Sequence, residues 1–445
     1  GTGYATSKDG LKWERPELDI VKGTNRLLPV EGHGERDGTA IWLDHNAADP
    51  LQRFKMFLFE RPQEKFGGMA LTSPDGIHWT IQAKTSLIDG KPVGDSTTIF
   101  YNPFRKKWVY CIRTGMAGRG RSYRECDDFV AGATWEAKEV VPLAIADELD
   151  LPDPGVQAMK PKTPEEIQKM ATLMKKTPEE IIKRIPSDYM DRPHLYNLDA
   201  VPYESIMLGI VGILVGPNSS PADALKMPKL IDLKLAYSRD GFSWDRPDHT
   251  PFLAATRKEG DWDRAYLHTA TSICAIVEDR LYFYYGGWSG ISPKRGTDLY
   301  SGGATGVAFL RRDGFVSLNA EEPVGSITTR PVTFKGKYLF TNINAPKGEL
   351  RVEVLDENNA VIAPFSAENC VPFTGDKTRT KITWKDSADL SALSGKKVKF
   401  RFLLKNGELY AFWVSPDLSG ASYGYVAAGG PGFVGPIDNV GGKRE

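Results

Sequence analysis

Polar side chains recur at one position in three predicted strands. Asp37, Asp95 and Asn197 each lie six residues before the apolar residue that ends a strand, and Asp199 follows two residues after Asn197 on the same strand face. Each residue alone also fits a turn or a cap at the start of a strand, but recurrence in register favours a shared site. Hydrolysis of a glycosidic bond needs such carboxyl groups, because one protonates the leaving oxygen and another attacks or activates water.

We therefore predict Asp95, Asp37 and Asp199 as the catalytic acids. Asp95 is expected to position the substrate or to stabilise the transition state, and Asp37 and Asp199 are alternatives for acid and base. An arginine nearby would hold a carboxylate in place or bind an acidic sugar through two hydrogen bonds, although a solvated basic turn is an alternative interpretation. The predicted substrate-binding residues are Arg113, Arg121, Asn197, Tyr196, Trp262, Asp263 and His268.

Two of these residues also have structural interpretations. Trp262 would stack on a sugar ring or fill a core, and a hydrogen-bonded core histidine is the stronger interpretation of His268. The six histidines are scattered without metal-ligand spacing, so neither a metal nor a cofactor is predicted. The four cysteines form no CxxC pair, and free thiols are favoured over a Cys111–Cys126 disulfide.

Composition limits the partners of the chain. The 445 residues include 57 basic residues (Lys and Arg) and 57 acidic residues (Asp and Glu), so no net charge attracts nucleic acid. No stretch approaches 18 consecutive apolar, uncharged residues, so no membrane-spanning helix is predicted. An oligosaccharide or polysaccharide is the predicted partner, and the oligomeric state is not determined by the sequence.

A repeated strand–turn–strand motif must position these side chains. Its copies span residues 4–13, 70–79, 123–135, 236–244 and 308–318, and four of them turn at Asp-Gly. Asp-Gly favours tight hairpins, and repetition on this scale indicates propeller blades. We predict an all-β fold with a five-bladed β-propeller over residues 1–323, whose first blade is incomplete. The turn residues Asp9, Asp75, Asp240 and Asp313 are interpreted as structural.

Two segments of the chain depart from this repeat pattern. Thr163 and Thr177 each precede Pro-Glu-Glu, which predicts two capped helices in an insert at about 160–190 between blades three and four. The insert is a decorated loop, a lid or a subunit contact. From residue 324 to 445 the strands lengthen and the motif disappears, which predicts a β-sandwich with a Gly-rich tail.

These residues resemble a group of bacterial proteins related to glycoside hydrolase family 32. The resemblance rests on the stretches SKDGLKWERP, WLDHNAADPLQRFKMF, GDSTTIFYNPFRKKW and LYNLDAVPYESIMLG, and in the C-terminal part on TTRPVTF and RVEVLD. It implies a five-bladed propeller followed by a β-sandwich, a glycosidase activity, and a periplasmic or extracellular location. No signal peptide is visible, and we expect residues before Gly1.

The chain departs from true family 32 enzymes in ways that leave fructosidase activity in doubt. It lacks their WMNDPNG-type stretch. Its Glu125-Cys126 pair resembles the EC motif of these enzymes, but the pair lies in an outer hairpin. Three hypotheses therefore remain open: a glycoside hydrolase, a carbohydrate-binding propeller without catalysis, and a glycoside phosphorylase that uses Arg113 and Arg121 to bind phosphate.

Overall fold

The fold was determined as a computed structural model and is mostly β, with 44% strand and 11% helix. The structure describes residues 2–28, 35–61, 67–85, 94–292, 296–387 and 389–439. The chain forms two compact units, one of residues 1–273 with 283–308 and the other of residues 274–282 with 309–445. No helix within the described ranges is long and apolar enough to cross a membrane.

The first unit is built from antiparallel sheets whose strands follow one another in the sequence. The first two sheets comprise β1 (Glu35–Leu43), β2 (Phe54–Arg61), β3 (Gly68–Ser73) and β4 (Thr80–Lys84), then β5 (Thr98–Asn102), β6 (Lys107–Thr114), β7 (Gly120–Cys126) and β8 (Val141–Ile145). The third comprises β9 (His194–Glu204), β10 (Ile206–Gly216) and β11 (Leu230–Ser238), in the order β11-β10-β9. Within each of these sheets, every strand pairs antiparallel with its successor in the chain.

A fourth sheet follows in the order β12-β13-β16, with a small hairpin between its second and third strands. Its strands are β12 (His268–Val277), β13 (Arg280–Trp288) and β16 (Gly303–Arg311), and the hairpin consists of β14 (Ile291–Ser292) and β15 (Gly296–Thr297). The apolar pattern of the sequence predicts strands over residues 268–277 and 280–288, and the bounds of β12 and β13 confirm both.

The first strands of the four sheets contact one another in a closed series. β1 contacts β5, and β5 contacts β9. On β9 and β12, the rings of Tyr196 and His268 lie 5.5 Å apart, and the Ile41 N–H of β1 donates to Thr271 Oγ1 of β12 over 3.5 Å. The first strands of the four sheets therefore lie around a common centre in the first unit.

The Asp-Gly turns are held by their own side chains. In the turn between β3 and β4, Asp75 Oδ1 accepts from the backbone N–H groups of Ile77 and His78, and Ser73 Oγ accepts from Gly76 N–H. The turn at Asp240 repeats this arrangement, and its carboxylate hydrogen bonds lower the pKa of Asp240 to about 2 against the effect of its partial burial. Both aspartates cap backbone groups, which confirms their structural interpretation.

The predicted helices are present between β8 and β9. The α-helices in the described part of the chain are α1 (Phe129–Gly132), α2 (Pro154–Ala158), α3 (Pro164–Met174), α4 (Pro178–Asp188) and α5 (Ser219–Ala224). At α3, the Glu166 N–H donates to Thr163 Oγ1, and Glu166 Oε2 accepts from the Thr163 N–H; Thr177 and Glu180 repeat this at α4. Both predicted capping boxes are confirmed.

The second unit contains one large sheet. Its strands are β17 (Leu318–Ala320), β18 (Gly325–Thr328), β19 (Tyr338–Leu355), β20 (Phe373–Lys381), β21 (Lys399–Lys405) and β22 (Gly407–Ser415), and β23 (Tyr425–Val426) follows in the chain. The sheet order is β17-β22-β19-β21-β18, and β20 pairs with β19. The long strand β19 pairs with β22 through its first half and with β21 through its second half, so it joins the two parts of the sheet.

Candidate active site

Asp95 lies in the turn that precedes β5. The next residue, Ser96, has a φ of +56°, a left-handed conformation that is uncommon for a residue with a side chain. The carboxylate forms an ion pair with Arg113 of β6, and their side chains are 17% and 29% exposed, respectively. Asp95 is therefore an anionic group that reaches solvent from a tightly folded turn.

Arg121 lies behind this turn. It is opposite Arg113 in the pairing of β6 with β7, and its side chain is fully buried. Burial lowers the pKa of Arg121 to about 10. Its Nη1 donates to the Ser96 carbonyl oxygen over 3.0 Å, while Nε and Nη2 have no hydrogen-bond partner among the described residues. Arg121 thus contributes a buried charge with unused donors.

Asp199 lies on β9 and is 1% exposed. Burial raises the pKa of Asp199 to about 7, although the charge of Arg121 and a hydrogen bond from Asn197 act in the opposite direction. That hydrogen bond joins Asn197 Nδ2 to Asp199 Oδ2 over 2.6 Å, and Asp199 Oδ1 has no partner in the part of the chain that the structure describes. Asp199 therefore takes up a proton near neutral pH.

These side chains form one group, which we term the carboxylate cluster. Its members are Asp95, Arg113, Arg121, Asn197 and Asp199. The strands that carry them are tied together by Thr98 Oγ1, which donates to the Leu198 carbonyl oxygen over 2.6 Å. Residues from one region, the Asp95 turn with β6 and β7, thus meet two residues of β9 that are distant in the sequence.

The side chain of Asp37, the remaining predicted acid, lies outside the described residues. Its backbone belongs to β1, beside an irregularity in the pairing with β2 between Arg36 and Thr39. The next residue, Gly38, lies so close to the Asp95 turn that a Cβ atom on it would be 2.9 Å from the Ser96 amide nitrogen. The backbones that carry Asp37 and Asp95 are therefore neighbours.

Tyr196 and His268 belong to an aromatic group beside the carboxylate cluster. The Tyr266 hydroxyl donates to the Tyr196 hydroxyl over 2.8 Å, and the His268 ring contacts the rings of Tyr196, Tyr266 and Trp288. Tyr196 is buried, whereas His268 is half-buried. The buried Lys229 places its Nζ within 5.3–5.7 Å of the ring centres of Tyr196, Tyr266 and Tyr300, so cation–π contacts hold its charge.

Trp262 and Asp263 lie on the segment that leads into β12. The Trp262 side chain is exposed, and its ring lies 5.2 Å from that of Tyr285 with an angle of 36° between their planes. The Tyr285 hydroxyl donates to Asp263 Oδ2 over 2.9 Å. An aromatic surface and a carboxylate are thus presented side by side.

Sequence reasoning missed Lys229, Tyr266, Tyr285, Trp288 and Tyr300 as neighbours of the site. The aromatic residues of β13 were assigned to a strand, and nothing in the local pattern around Lys229 marks it as buried. Glu125 of the Glu125-Cys126 pair accepts two hydrogen bonds from Arg105. The cysteines in the described ranges are free, which confirms the prediction of free thiols.

One group of side chains has the composition of a metal site. Atoms of Asp147, Asp150 and His249 lie within 4.8 Å of one another. However, Lys234 Nζ and Arg246 Nη2 pair with the Asp150 carboxylate at 2.9 and 2.8 Å, and Arg246 also pairs with Asp147. The two cationic side chains already balance the carboxylates, so this group is an ion-pair network rather than a cation site.

Neither a protein-family model nor a curated protein matches the sequence. Solved structures that are similar include an N-acetylgalactosamine deacetylase from F. plautii in complex with blood group B trisaccharide, with 14% identity and a TM-score of 0.40 over 68% of this chain and 79% of that chain. A fructofuranosidase variant from Schwanniomyces occidentalis complexed with fructosylnystose has 11% identity and a TM-score of 0.36 over 92% and 87%. An endo-1,4-beta-xylanase from Bacteroides thetaiotaomicron has 12% identity and a TM-score of 0.37 over 70% and 88%. Because these similarities are too low to assign an activity, the chemistry of the site depends on its own side chains.

Proposed function

We propose that the chain is a glycoside hydrolase whose carboxyl groups line the axial funnel of a five-bladed β-propeller. The closed series of contacts among β1, β5, β9 and β12 supports the propeller, and the Thr6–Glu14 bridge near the N-terminus supports a further, incomplete blade. The six-stranded sheet of the second unit supports a C-terminal β-sandwich. The propeller would cover residues 1–323, with the helical insert, and the sandwich residues 324–445.

The observation that carries the proposal is the contrast between two carboxyl groups in one cluster. Asp95 is paired with Arg113 and reaches solvent, whereas Asp199 is buried and has a pKa of about 7. Glycoside hydrolases need one carboxylate and one carboxylic acid at the same pH, and different environments are the means by which a protein provides both. The cluster thus combines an ion-paired carboxylate that reaches solvent with a buried carboxyl group whose pKa is about 7. Because Asp199 is buried, the group that exchanges a proton with the substrate must be a further carboxyl group.

Burial separates the roles of two of the predicted acids, Asp95 and Asp199. Asp95 is in reach of a substrate, and its negative charge would stabilise the positive charge that develops on the sugar ring. Asp37 belongs to β1, where the adjacent Gly38 backbone approaches the Asp95 turn, and it is proposed as the second group that contacts the substrate, as acid or base. Asp199 is too deeply buried for direct contact, and we propose that it acts through Arg121.

The predicted substrate-binding residues fall into a partly exposed group and a buried group. Arg113, Trp262, Asp263 and His268 are partly exposed and are proposed to contact the sugar. Arg121, Asn197 and Tyr196 are buried and are proposed to hold the wall of the site. A polymeric glycan as substrate fits the periplasmic or extracellular location that the resemblance implies.

The test is product release from a panel of plant and algal glycans by the wild type and by Asp95→Asn. Because Asp95 is proposed to act on the charge of the transition state, kcat/KM should fall by about two to three orders of magnitude with the fold intact by circular dichroism. Asp75→Asn, the same change in a structural turn, is the matched control and should retain activity. Equal cleavage by wild type and Asp95→Asn would refute the assignment. Binding of a glycan without any cleavage would favour the carbohydrate-binding alternative, and cleavage that requires phosphate would favour the phosphorylase.

A further inference from the structure

We infer that Trp262 and Asp263 form a subsite for one pyranose ring of an oligosaccharide. The inference depends on the proposed function in one respect, namely that the ligand is a carbohydrate. It adds the chemical class of the sugar and the place where a ring outside the carboxylate cluster binds.

The Trp262 indole is held rigidly although 38% of it is exposed. Tyr285 packs against the indole, and two glycines lie beneath its six-membered ring. A Cβ atom on Gly306 would be 2.4 Å from Trp262 Cη2, and one on Gly287 would be 3.0 Å from Cζ3. No larger residue fits at Gly306 without displacing the ring. A ligand that stacks on this fixed surface therefore loses little affinity to ordering of the side chain.

Asp263 supplies the polar half of the subsite. Its Oδ2 accepts a hydrogen bond from the Tyr285 hydroxyl, and burial together with this hydrogen bond raises the pKa of Tyr285 to about 12. Tyr285 therefore remains a donor and fixes the orientation of the carboxylate. An ionised carboxylate has about four acceptor positions, so Asp263 retains capacity for a sugar hydroxyl.

This pair of features selects a pyranose ring. A six-membered chair presents a flat face of C–H groups that covers an indole, and its hydroxyls extend from the edge, from which they can donate to a neighbouring carboxylate such as Asp263. A furanose ring is smaller and puckered, so it buries less apolar surface on the same indole. A planar aromatic ligand would stack as well but would leave the carboxylate without hydroxyl donors.

The subsite is connected to the carboxylate cluster by ring contacts. Trp288 follows Gly287 on β13 and contacts His268 with ring centres 5.8 Å apart, and His268 contacts Tyr196 at 5.5 Å. Tyr196 precedes Asn197, a member of the cluster. A ligand that occupies both places must contain more than one sugar residue, which favours an oligosaccharide or polysaccharide over a monosaccharide.

Trp13 provides a matched control within the same unit. It is 51% exposed and contacts Tyr284, the neighbour of Tyr285 on β13. Its ring stands edge-on at 82°, and the Tyr284 hydroxyl donates to the Gly10 backbone oxygen rather than to a carboxylate. Trp13 is therefore at least as exposed as Trp262, but its tyrosine neighbour stands edge-on instead of tilted at 36° and donates to a backbone oxygen.

The experiment is calorimetric titration in the Asp95→Asn background, so that the ligand stays intact. The probes are cellohexaose, xylohexaose and an all-furanose arabinan hexasaccharide. We expect at least one pyranose probe to bind, Trp262→Ala to weaken that binding about tenfold, Trp262→Phe to restore most of it, and Trp13→Ala to leave it unchanged. The thermal midpoints of the two alanine variants identify any loss of folding.

The inference is overturned if neither pyranose probe binds, if Trp262→Ala and Trp13→Ala have equal effects, or if the arabinan depends on Trp262 as strongly as the pyranose probes. Cleavage of the glycan panel by the wild type is measured separately. Trp262-dependent binding without any cleavage would retain the subsite and reject the hydrolase. Cleavage with no role for Trp262 would reject the subsite and retain the hydrolase.

Discussion

Arg121 donates a hydrogen bond to the backbone oxygen of Ser96 from a position where its own side chain is fully buried. Ser96 is in the left-handed conformation and directly follows Asp95, so the hydrogen bond stabilises the turn that presents the exposed carboxylate. Asp199 lies close enough to Arg121 for their charges to interact, and it offsets the charge of the guanidinium only when it is ionised. A buried carboxyl group with a pKa of about 7 and a buried guanidinium thus lie next to the turn that carries Asp95.

Arg121→Lys should impair positioning of Asp95 while leaving the buried positive charge. A lysine cannot reproduce the planar set of donors, so the hydrogen bond to Ser96 is lost or bent. We expect kcat to fall about tenfold or more with a smaller change in KM, and the free energy of unfolding to fall by about 1–3 kcal/mol. Steady-state kinetics and urea denaturation measure the two effects.

The control for this substitution is Arg124→Lys on the same strand. Arg124 is mostly buried and pairs with Glu139 at 3.0 Å, away from the Asp95 turn. Its replacement should lower stability with little change in kcat. If both variants lose kcat in proportion to their stability, Arg121 has only a structural role.

Asp199→Asn should change the pH dependence of stability. The carboxyl has a pKa of about 7 in the folded protein and about 3.9 in the unfolded chain, so the folded state binds the extra proton between these values. Ionisation of Asp199 therefore costs the wild type up to about 1.4 kcal/mol of stability per pH unit as pH rises from about 4 to 7, and the cost is constant above this range. The variant lacks this term, so its stability relative to wild type should increase with pH.

The free energy of unfolding is measured by denaturation at about pH 4.5, 6 and 7.5, which covers the pH range in which Asp199 should ionise. Asp150→Asn is the control, because we expect its effect on stability to change with pH in the opposite direction. Burial alone would raise the pKa of Asp150, but hydrogen bonds from Arg246 and Lys234 outweigh it, and the pKa is lowered. The ionised Asp150 therefore contributes stability above its unfolded pKa, and this variant should lose more stability at neutral than at acidic pH. Parallel curves for wild type and Asp199→Asn would contradict burial as the cause.

Thr163→Ala should destabilise the insert without affecting catalysis. The substitution removes the cap on the Glu166 N–H at the start of α3, which costs about 1 kcal/mol. Glu165→Ala, in the same helical turn but outside the capping box, is the control and should cost less. Thermal unfolding and kcat/KM are measured together. A large loss of activity in Thr163→Ala alone would indicate that the insert is a lid over the site rather than a decorated loop.

The sequence by itself determined the features whose partners lie within a few residues. The Asp75 and Asp240 turns, the capping boxes at Thr163 and Thr177, and the bounds of β12 and β13 all depend on local hydrogen bonds and on the apolar pattern of a single segment. The positions of Asn197 and Asp199 on β9, and of Asp95 close before β5, followed from the same local alignment.

Only the tertiary structure decided the environments of these residues. Asp199 is buried beside Arg121, Lys229 is enclosed by Tyr196, Tyr266 and Tyr300, and Trp262 rests on Gly287 and Gly306. Desolvation and charge–charge contacts depend on how separate sheets pack, which no periodicity within one strand records. For this reason local patterns predicted three acids around one centre, whereas only packing distinguished a partly exposed Asp95 from a buried Asp199.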